Sequence, residues 1–110
     1  MASYAENRKA RFNYEFLEKY ETGIELLGTE VKSIRGGQMS LEGAFVIIRG
    51  GEAFLINANI PPYQPKNSPK DYDPLRNRKL LLTKKEIAEL SGREKNKSLT
   101  IVPVSVYNKN

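Results

Sequence analysis

Residues 73–86 read DPLRNRKLLLTKKE and set Arg76, Arg78, Lys79, Lys84 and Lys85 around the apolar run Leu80-Leu81-Leu82, with no acidic residue between Asp73 and Glu86. Side chains of this type suit phosphate chemistry. Each neutralised phosphate releases condensed counterions, and a guanidinium adds bidentate hydrogen bonding and stacking. A segment made only to bury leucines has no use for such a surround. Three consecutive leucines cannot all face one side, so Leu80 and Leu82 are assigned to the core and Leu81 to a surface apolar contact. An isolated basic run is ordinarily a solvated face, so the rest of the chain must decide what this one meets.

The 110 residues carry 18 Lys and Arg against 13 Asp and Glu, a net charge of +5, and include no cysteine and no histidine. That composition closes thiolate and imidazole zinc sites, cysteine nucleophiles, triads with a histidine base, and disulfide staples. The basic surplus points to a polyanionic partner. Nucleic acid is preferred over a membrane surface, because no long basic amphipathic helix is evident. The N-terminal MASYAENRKAR has no signal-peptide core, and no run approaches the roughly 20 apolar residues that span a bilayer. A cytoplasmic protein with no membrane partner and no cofactor is expected.

The elements that must position these side chains can be read from periodicity. Residues 12–16, FNYEF, alternate in the manner of a half-buried strand, and Glu21-Thr22-Gly23 resembles a turn leading into Ile24 to Leu27, so a first hairpin is predicted. Thr29 opens a short helix with Val31 and Ile34 on one face, Lys32 and Arg35 on the other, and Gly36-Gly37 as its C-terminal cap. In GAFVIIRGGEAFLINANI, two β-rich runs flank Gly50-Gly51, the strongest hairpin signal present. Residues 61–74 hold five of the six prolines and predict a long surface loop, with Tyr63 and Tyr72 as candidate stacking rings, whereas Tyr14, Phe16 and Phe45 are assigned to the core.

Thr83 and Glu86 form the two halves of a capping box, with Leu82 and Ile87 as a hydrophobic staple, so a helix is predicted from about Lys84 to near Gly92. Leu99, Ile101, Val104 and Val106 predict a last strand broken by Pro103, hence an edge or a bulge. Asn108-Lys109-Asn110 resembles the start of a turn. Residues 1–6 are expected to be disordered. Hairpins with two inserted short helices, in one domain spanning 1–110, predict a mainly β protein with an oligonucleotide-binding antiparallel barrel.

Three separated strings then stand out together: ENRKAR at 6–11, ETGIELLGTEVKSIRGG at 21–37 and DPLRNRKLLLTKKEI at 73–87. With SLEGAFVIIRGGEAFLINANIPPY and LTIVPVSVYNKN, they closely resemble the small protein B family (SmpB, the SsrA-binding proteins) from Glu6 to the end. The resemblance implies an oligonucleotide-binding barrel without enzymatic activity. Such a protein binds the tRNA-like domain of transfer-messenger RNA, and accompanies it to stalled ribosomes for trans-translation. Alanyl-tRNA synthetase and elongation factor Tu enter indirectly, through the alanine charge and its carrier.

Carried over by motif, the implied RNA-binding residues are Asn7, Arg8, Lys9 and Arg11; Glu21, Lys32 and Arg35; and Arg76, Arg78, Lys79, Leu81 and Thr83. The cations suit phosphates, while Asn7 and Glu21 suit base edges or a 2′-hydroxyl. Where the family usually has histidine, this chain has Phe12 and Thr83, and Arg76-Asn77-Arg78 stands for Arg-Pro-Arg or Arg-Thr-Arg. The sequence ends before the family's last strand and basic tail. RNA binding without full rescue is the resulting expectation. The alternatives are a non-specific single-stranded nucleic-acid binder on the same fold and, far behind, a small nuclease without histidine.

Overall fold

At Gly50 and Gly51 the backbone turns with φ of 60° and 74°, the left-handed pair that a two-residue hairpin of the I′ type demands. A Cβ at either glycine would meet nothing within 4 Å, so it is the torsion and not the space that selects glycine there. A computed structural model describes residues 3–13, 15–16, 18–64, 66, 70–94 and 99–107, with the backbone alone at Arg11, Asn13 and Glu94. Its elements in chain order are β1 (Ser3–Glu6), α1 (Arg8–Asn13), α2 (Gly28–Arg35), β2 (Phe45–Arg49), β3 (Glu52–Ile56), β4 (Arg78–Leu80), α3 (Lys84–Glu94) and β5 (Ser105–Tyr107).

The glycine turn joins β2 to β3 in register from Phe45↔Ile56 to Arg49↔Glu52, and β3 pairs in turn with β4 through Ala53↔Leu80 and Leu55↔Arg78. Ala53 and Leu55 point inward and are almost fully buried, with Leu80 opposite Ala53 at 9% exposure. This period of two is what a half-buried sheet requires. Around them Ile34, Leu41, Val46 and Ile60 complete the core. Leu41 and Ile60 are sealed to 1% and 0% exposure, which is worth about 2 kcal/mol for each side chain relative to leaving it in water.

Single bonds extend this sheet on both sides. Leu81 N donates to Gly23 O and Glu25 N to Lys79 O, each at 2.9 Å, so residues 23–25 line the free edge of β4. On the other flank Val46 N donates to Ile101 O at 2.9 Å. Residues 101–104 lead directly into β5, which pairs antiparallel with β1. The architecture is mainly antiparallel β with short helices, as expected. Among the described residues, the barrel-like circuit consists of two sheets bridged by these single bonds.

Three expectations are corrected. Phe12 and Asn13 belong to a helix and not to a strand: α1 runs to Asn13, because Asn7 caps a stretch of good helix formers by accepting Ala10 N at 3.1 Å, and Glu15 and Phe16 are in no strand. Among the described residues the predicted first hairpin is not formed, and Ile24 bridges Leu80 instead. Ser3–Glu6 is ordered as β1, since the open edge of β5 supplies ladder partners from Ser3↔Tyr107 to Glu6↔Ser105. The predicted role of Tyr14 and the predicted turn at 108–110 lie outside the described residues.

The β2–β3 hairpin and α3 follow the sequence closely, whereas the last strand, predicted from Leu99, is confined to Ser105–Tyr107. Pro103 stays outside the ladder, and β5 begins two residues later. At the start of α3, Glu86 N donates to Thr83 Oγ1 at 3.2 Å and Thr83 N to Glu86 Oε1 at 2.9 Å, so the capping box forms reciprocally.

Candidate nucleic-acid interface

The basic stretch divides as soon as β4 forms, because successive side chains of a strand leave on opposite faces. Arg78 points inward and is completely buried, while Lys79 points outward, its side chain 42% exposed and 3.1 Å from Glu52 Oε1. A buried guanidinium is tolerated only if its charge is paired and every donor is met. Arg78 satisfies both conditions. Its Nε and Nη2 donate to Glu30 Oε2 at 2.9 and 2.6 Å. Its Nη1 reaches Ala58 O and Arg76 O, and Nη2 also reaches Pro74 O and the Tyr72 hydroxyl.

Glu30 is the hub, and sequence reading did not single it out. It lies on α2 with Ser33 and Ile34, at the i, i+3, i+4 spacing of the buried face. Its carboxylate accepts from Leu27 N at 2.8 Å, which is half of a capping box; Leu27 has no polar atom to return the bond. The remaining capacity is filled by Arg78, by the Tyr72 hydroxyl at 3.0 Å, and by Arg76 through Nε and Nη2 at 3.0 and 2.5 Å. Burial works to raise the Glu30 pKa, but hydrogen bonds from Arg76, Leu27 N and Arg78 outweigh it and hold the group at about 2. Burial and the same carboxylate push the Tyr72 hydroxyl above its ordinary value.

These contacts correct three assignments. Arg78 has no exposed surface from which to touch a phosphate. Tyr72 is no free stacking ring, since its hydroxyl, with one proton, is held between Glu30 Oε2 and Ile60 O at 3.0 and 2.7 Å and accepts from Arg78 Nη2. Asn7, at 6% exposure, spends its side chain on Ala10 N and on Pro103 O at 3.0 Å, so it is an internal cap and not a reader of base edges. Arg76 is intermediate, with 31% of its side chain exposed and one edge of the guanidinium committed to Glu30.

Exposed positions supply the outward chemistry. Arg8 and Lys9 lie on α1, Lys9 paired with Glu42 at 2.5 Å, and Phe12 on the same helix is 92% exposed. Nothing is described of the Arg11 side chain. Lys32 and Arg35 are exposed on α2, and Thr83 is exposed at its cap position. Leu81 is 55% exposed, as assigned from the triple leucine, while Leu80 and Leu82 pack inward.

The three strings converge through β5 and the Gly23–Leu81 pairing. Asn7 N donates to Val104 O at 2.8 Å, drawing α1 against the start of β5. At its far end the Tyr107 hydroxyl donates to Glu21 Oε2. Two residues after Glu21, Gly23 is held against Leu81 by the Leu81 N to Gly23 O bond. A groove of about 230 Å³ between Ile24, Leu26, Arg35, Val106 and Tyr107 separates this strand from α2. One carboxylate is thus oriented by a tyrosine hydroxyl, and the same chain carries an exposed leucine at 81 and outward cations on α1, α2 and β4.

A small antiparallel β protein that turns cations, a leucine and a carboxylate outward is a binding module of the nucleic-acid type. A family model described as SmpB protein matches residues 4–110, and the chain belongs to that family. It is 55% identical over 106 residues to the SsrA-binding protein of Thermosynechococcus vestitus, covering 96% of this chain and 70% of that protein. Against the SsrA-binding protein of Mesoplasma florum it is 55% identical, covering 92% of this chain and 68% of the relative. A solved structure described as "tmRNA-SmpB: a journey to the center of the bacterial ribosome" superposes with a TM-score of 0.76 at 48% identity, covering 94% of this chain and 73% of that one. The resemblance read from the three strings is therefore confirmed. No helix among the described residues is long and apolar enough to cross a membrane.

Proposed function

We propose that this chain binds the tRNA-like domain of transfer-messenger RNA and accompanies it to stalled ribosomes in trans-translation. The observation that carries the reading is the family match across residues 4–110, together with a fold shared at 48% identity with a solved tmRNA-SmpB structure. The chain acts in the cytoplasm by binding and not by catalysis, as one RNA-binding domain. Elongation factor Tu and alanyl-tRNA synthetase are linked to it through the RNA.

The surface for that RNA comprises Arg8, Lys9, Arg11, Glu21, Lys32, Arg35, Lys79, Leu81 and Thr83, with the solvent edge of Arg76. Arg78 and Asn7 support it from inside. Cations on α1, α2 and β4 attract the phosphate backbone, and the Glu21 carboxylate accepts from a base edge or 2′-hydroxyl, which gives discrimination that charge alone cannot.

The test is a titration of the chain against the tRNA-like domain and, in parallel, an ordinary tRNA across several salt concentrations. Preference for the former that is lost in Glu21→Ala supports the reading. Equal and steeply salt-dependent affinity for both would replace it with non-specific binding.

A further inference from the structure

Tyr63 stands 44% exposed just after Pro61-Pro62, and the Lys32 ammonium lies 5.9 Å from its ring centroid. The root of this segment is firmly held. Ser33 Oγ, fully buried on α2, donates to Pro61 O at 2.7 Å, and the Tyr72 hydroxyl ties down Ile60 O. Proline at 61 and 62 fixes φ and removes backbone freedom. A half-exposed ring is thereby presented beside α2 at little further cost in ordering on binding. Three other tyrosines are committed through their hydroxyls: Tyr20 donates to Glu89, Tyr107 to Glu21, and the Tyr72 proton is shared between Glu30 and Ile60 O.

We infer that Tyr63 and Lys32 form a stacking subsite for one unpaired nucleotide of the bound RNA. The inference rests on the RNA-binding reading above and extends it to a residue outside that surface. A ring offers every base a π-face regardless of sequence, and an adjacent cation offers the neighbouring phosphate a partner. At 5.9 Å the lysine is at the outer range of a cation–π contact and exposed to water. It moves from ring to phosphate without giving up a strong interaction, leaving the ring to the base. An RNA strand is favoured over a peptide by the basic character of the flank, where Arg35 follows Lys32 by one turn of α2.

Photocrosslinking with 5-iodouridine tests this subsite. The tRNA-like domain transcribed with 5-iodouridine, and 5-iodouridine-substituted oligouridylate, are irradiated with the 110-residue chain, and adducts are located by mass spectrometry. The expected result is an adduct at Tyr63. Tyr63→Leu should weaken RNA binding roughly tenfold with an unchanged melting temperature, and Tyr63→Phe should retain affinity.

In a cycle with Lys32→Ala, the two losses should be less than additive. Wild-type affinity in Tyr63→Leu, with no adduct at Tyr63 in either RNA, would overturn the inference. If the chain fails to prefer the tRNA-like domain over ordinary tRNA, the proposed function falls separately. The oligouridylate adduct then still decides the subsite.

Discussion

Arg78 and Glu30, 48 residues apart in sequence and both withdrawn from solvent, meet through Nε and Nη2 of the guanidinium on a single carboxylate oxygen at 2.9 and 2.6 Å. This pair fastens β4 to α2 and so holds two of the three basic strings in one body. Removing one partner of such a pair leaves an unpaired charge in the interior, a loss of about 3–5 kcal/mol against a total stability on the order of 5–15 kcal/mol. Arg78→Ala should therefore lose most or all of its cooperative unfolding transition in urea. Arg78→Lys should be almost as damaging, since an ammonium cannot supply five planar donors to Glu30, Ala58, Pro74 and Arg76. By contrast, Arg8→Ala, on an exposed side chain, should leave the urea midpoint unchanged and lower only RNA affinity.

Acid should loosen the same hub. The Glu30 pKa falls from 4.5 in an exposed chain to about 2 in the folded protein, so its contribution is fully present above pH 4.5 and is lost as pH drops through the window towards 2. The linkage is worth roughly 3 kcal/mol at neutral pH. Denaturant titrations at a series of pH values from 6 down to 2.5 should show stability declining across that window. In Glu30→Gln, if enough folded protein remains to titrate, the slope should flatten and the stability at neutral pH should be lower. An unchanged slope in that variant would mean that other carboxylates govern the acid transition.

A smaller effect is expected at the N-terminus of α3. Thr83→Ala removes the acceptor for Glu86 N and should cost about 1 kcal/mol, with Thr83→Ser restoring most of it. Because Thr83 also lies beside Leu81, the informative comparison sets the urea midpoint against RNA affinity in both variants. If Thr83→Ser recovers stability and not binding, the methyl group meets RNA. Joint recovery assigns both effects to the hydroxyl that serine retains and excludes the methyl group.

The glycine-turned hairpin, the capped helix after Leu82 and the split roles of the three leucines were legible because each depends on neighbours in sequence: two glycines, a Thr-x-x-Glu box, and the alternation of a strand. What local pattern could not supply was the direction of each charged side chain. Arg76 and Arg78 are two apart and so share a face by period, yet their basic surroundings suggested solvent; only the distant Glu30 and Tyr72 turn that face into a core. A signal did exist in GTEVKSIR, where Glu30, Ser33 and Ile34 share one helical face, since a carboxylate in phase with an isoleucine requires an internal cation. The 12–16 strand failed for a related reason. Three aromatic residues at alternate positions imitate a pleat, but Asn7 followed by Arg-Lys-Ala-Arg starts a helix first, and Phe12 ends up 92% exposed.

The contact between Gly23 and Leu81 allows the proposed RNA surface to be altered without touching the core. Leu81 N donates to Gly23 O, and a Cβ built on Gly23 would stand 3.1 Å from Leu81 Cδ1, closer than side chains normally approach. The atom in the way is the end of a mobile and largely exposed side chain, so Gly23→Ala should shift Leu81 by a few tenths of an ångström and change stability by under about 1 kcal/mol. If Leu81 and Glu21 meet RNA as a fitted patch, that shift should lower affinity for the tRNA-like domain several-fold. Leu81→Ala should lower it at least as much. The double variant should then lose no more than Leu81→Ala alone, because the displaced group is already absent. Wild-type affinity in Gly23→Ala would show that the patch tolerates a moved leucine, and full additivity in the double variant would separate the two residues altogether.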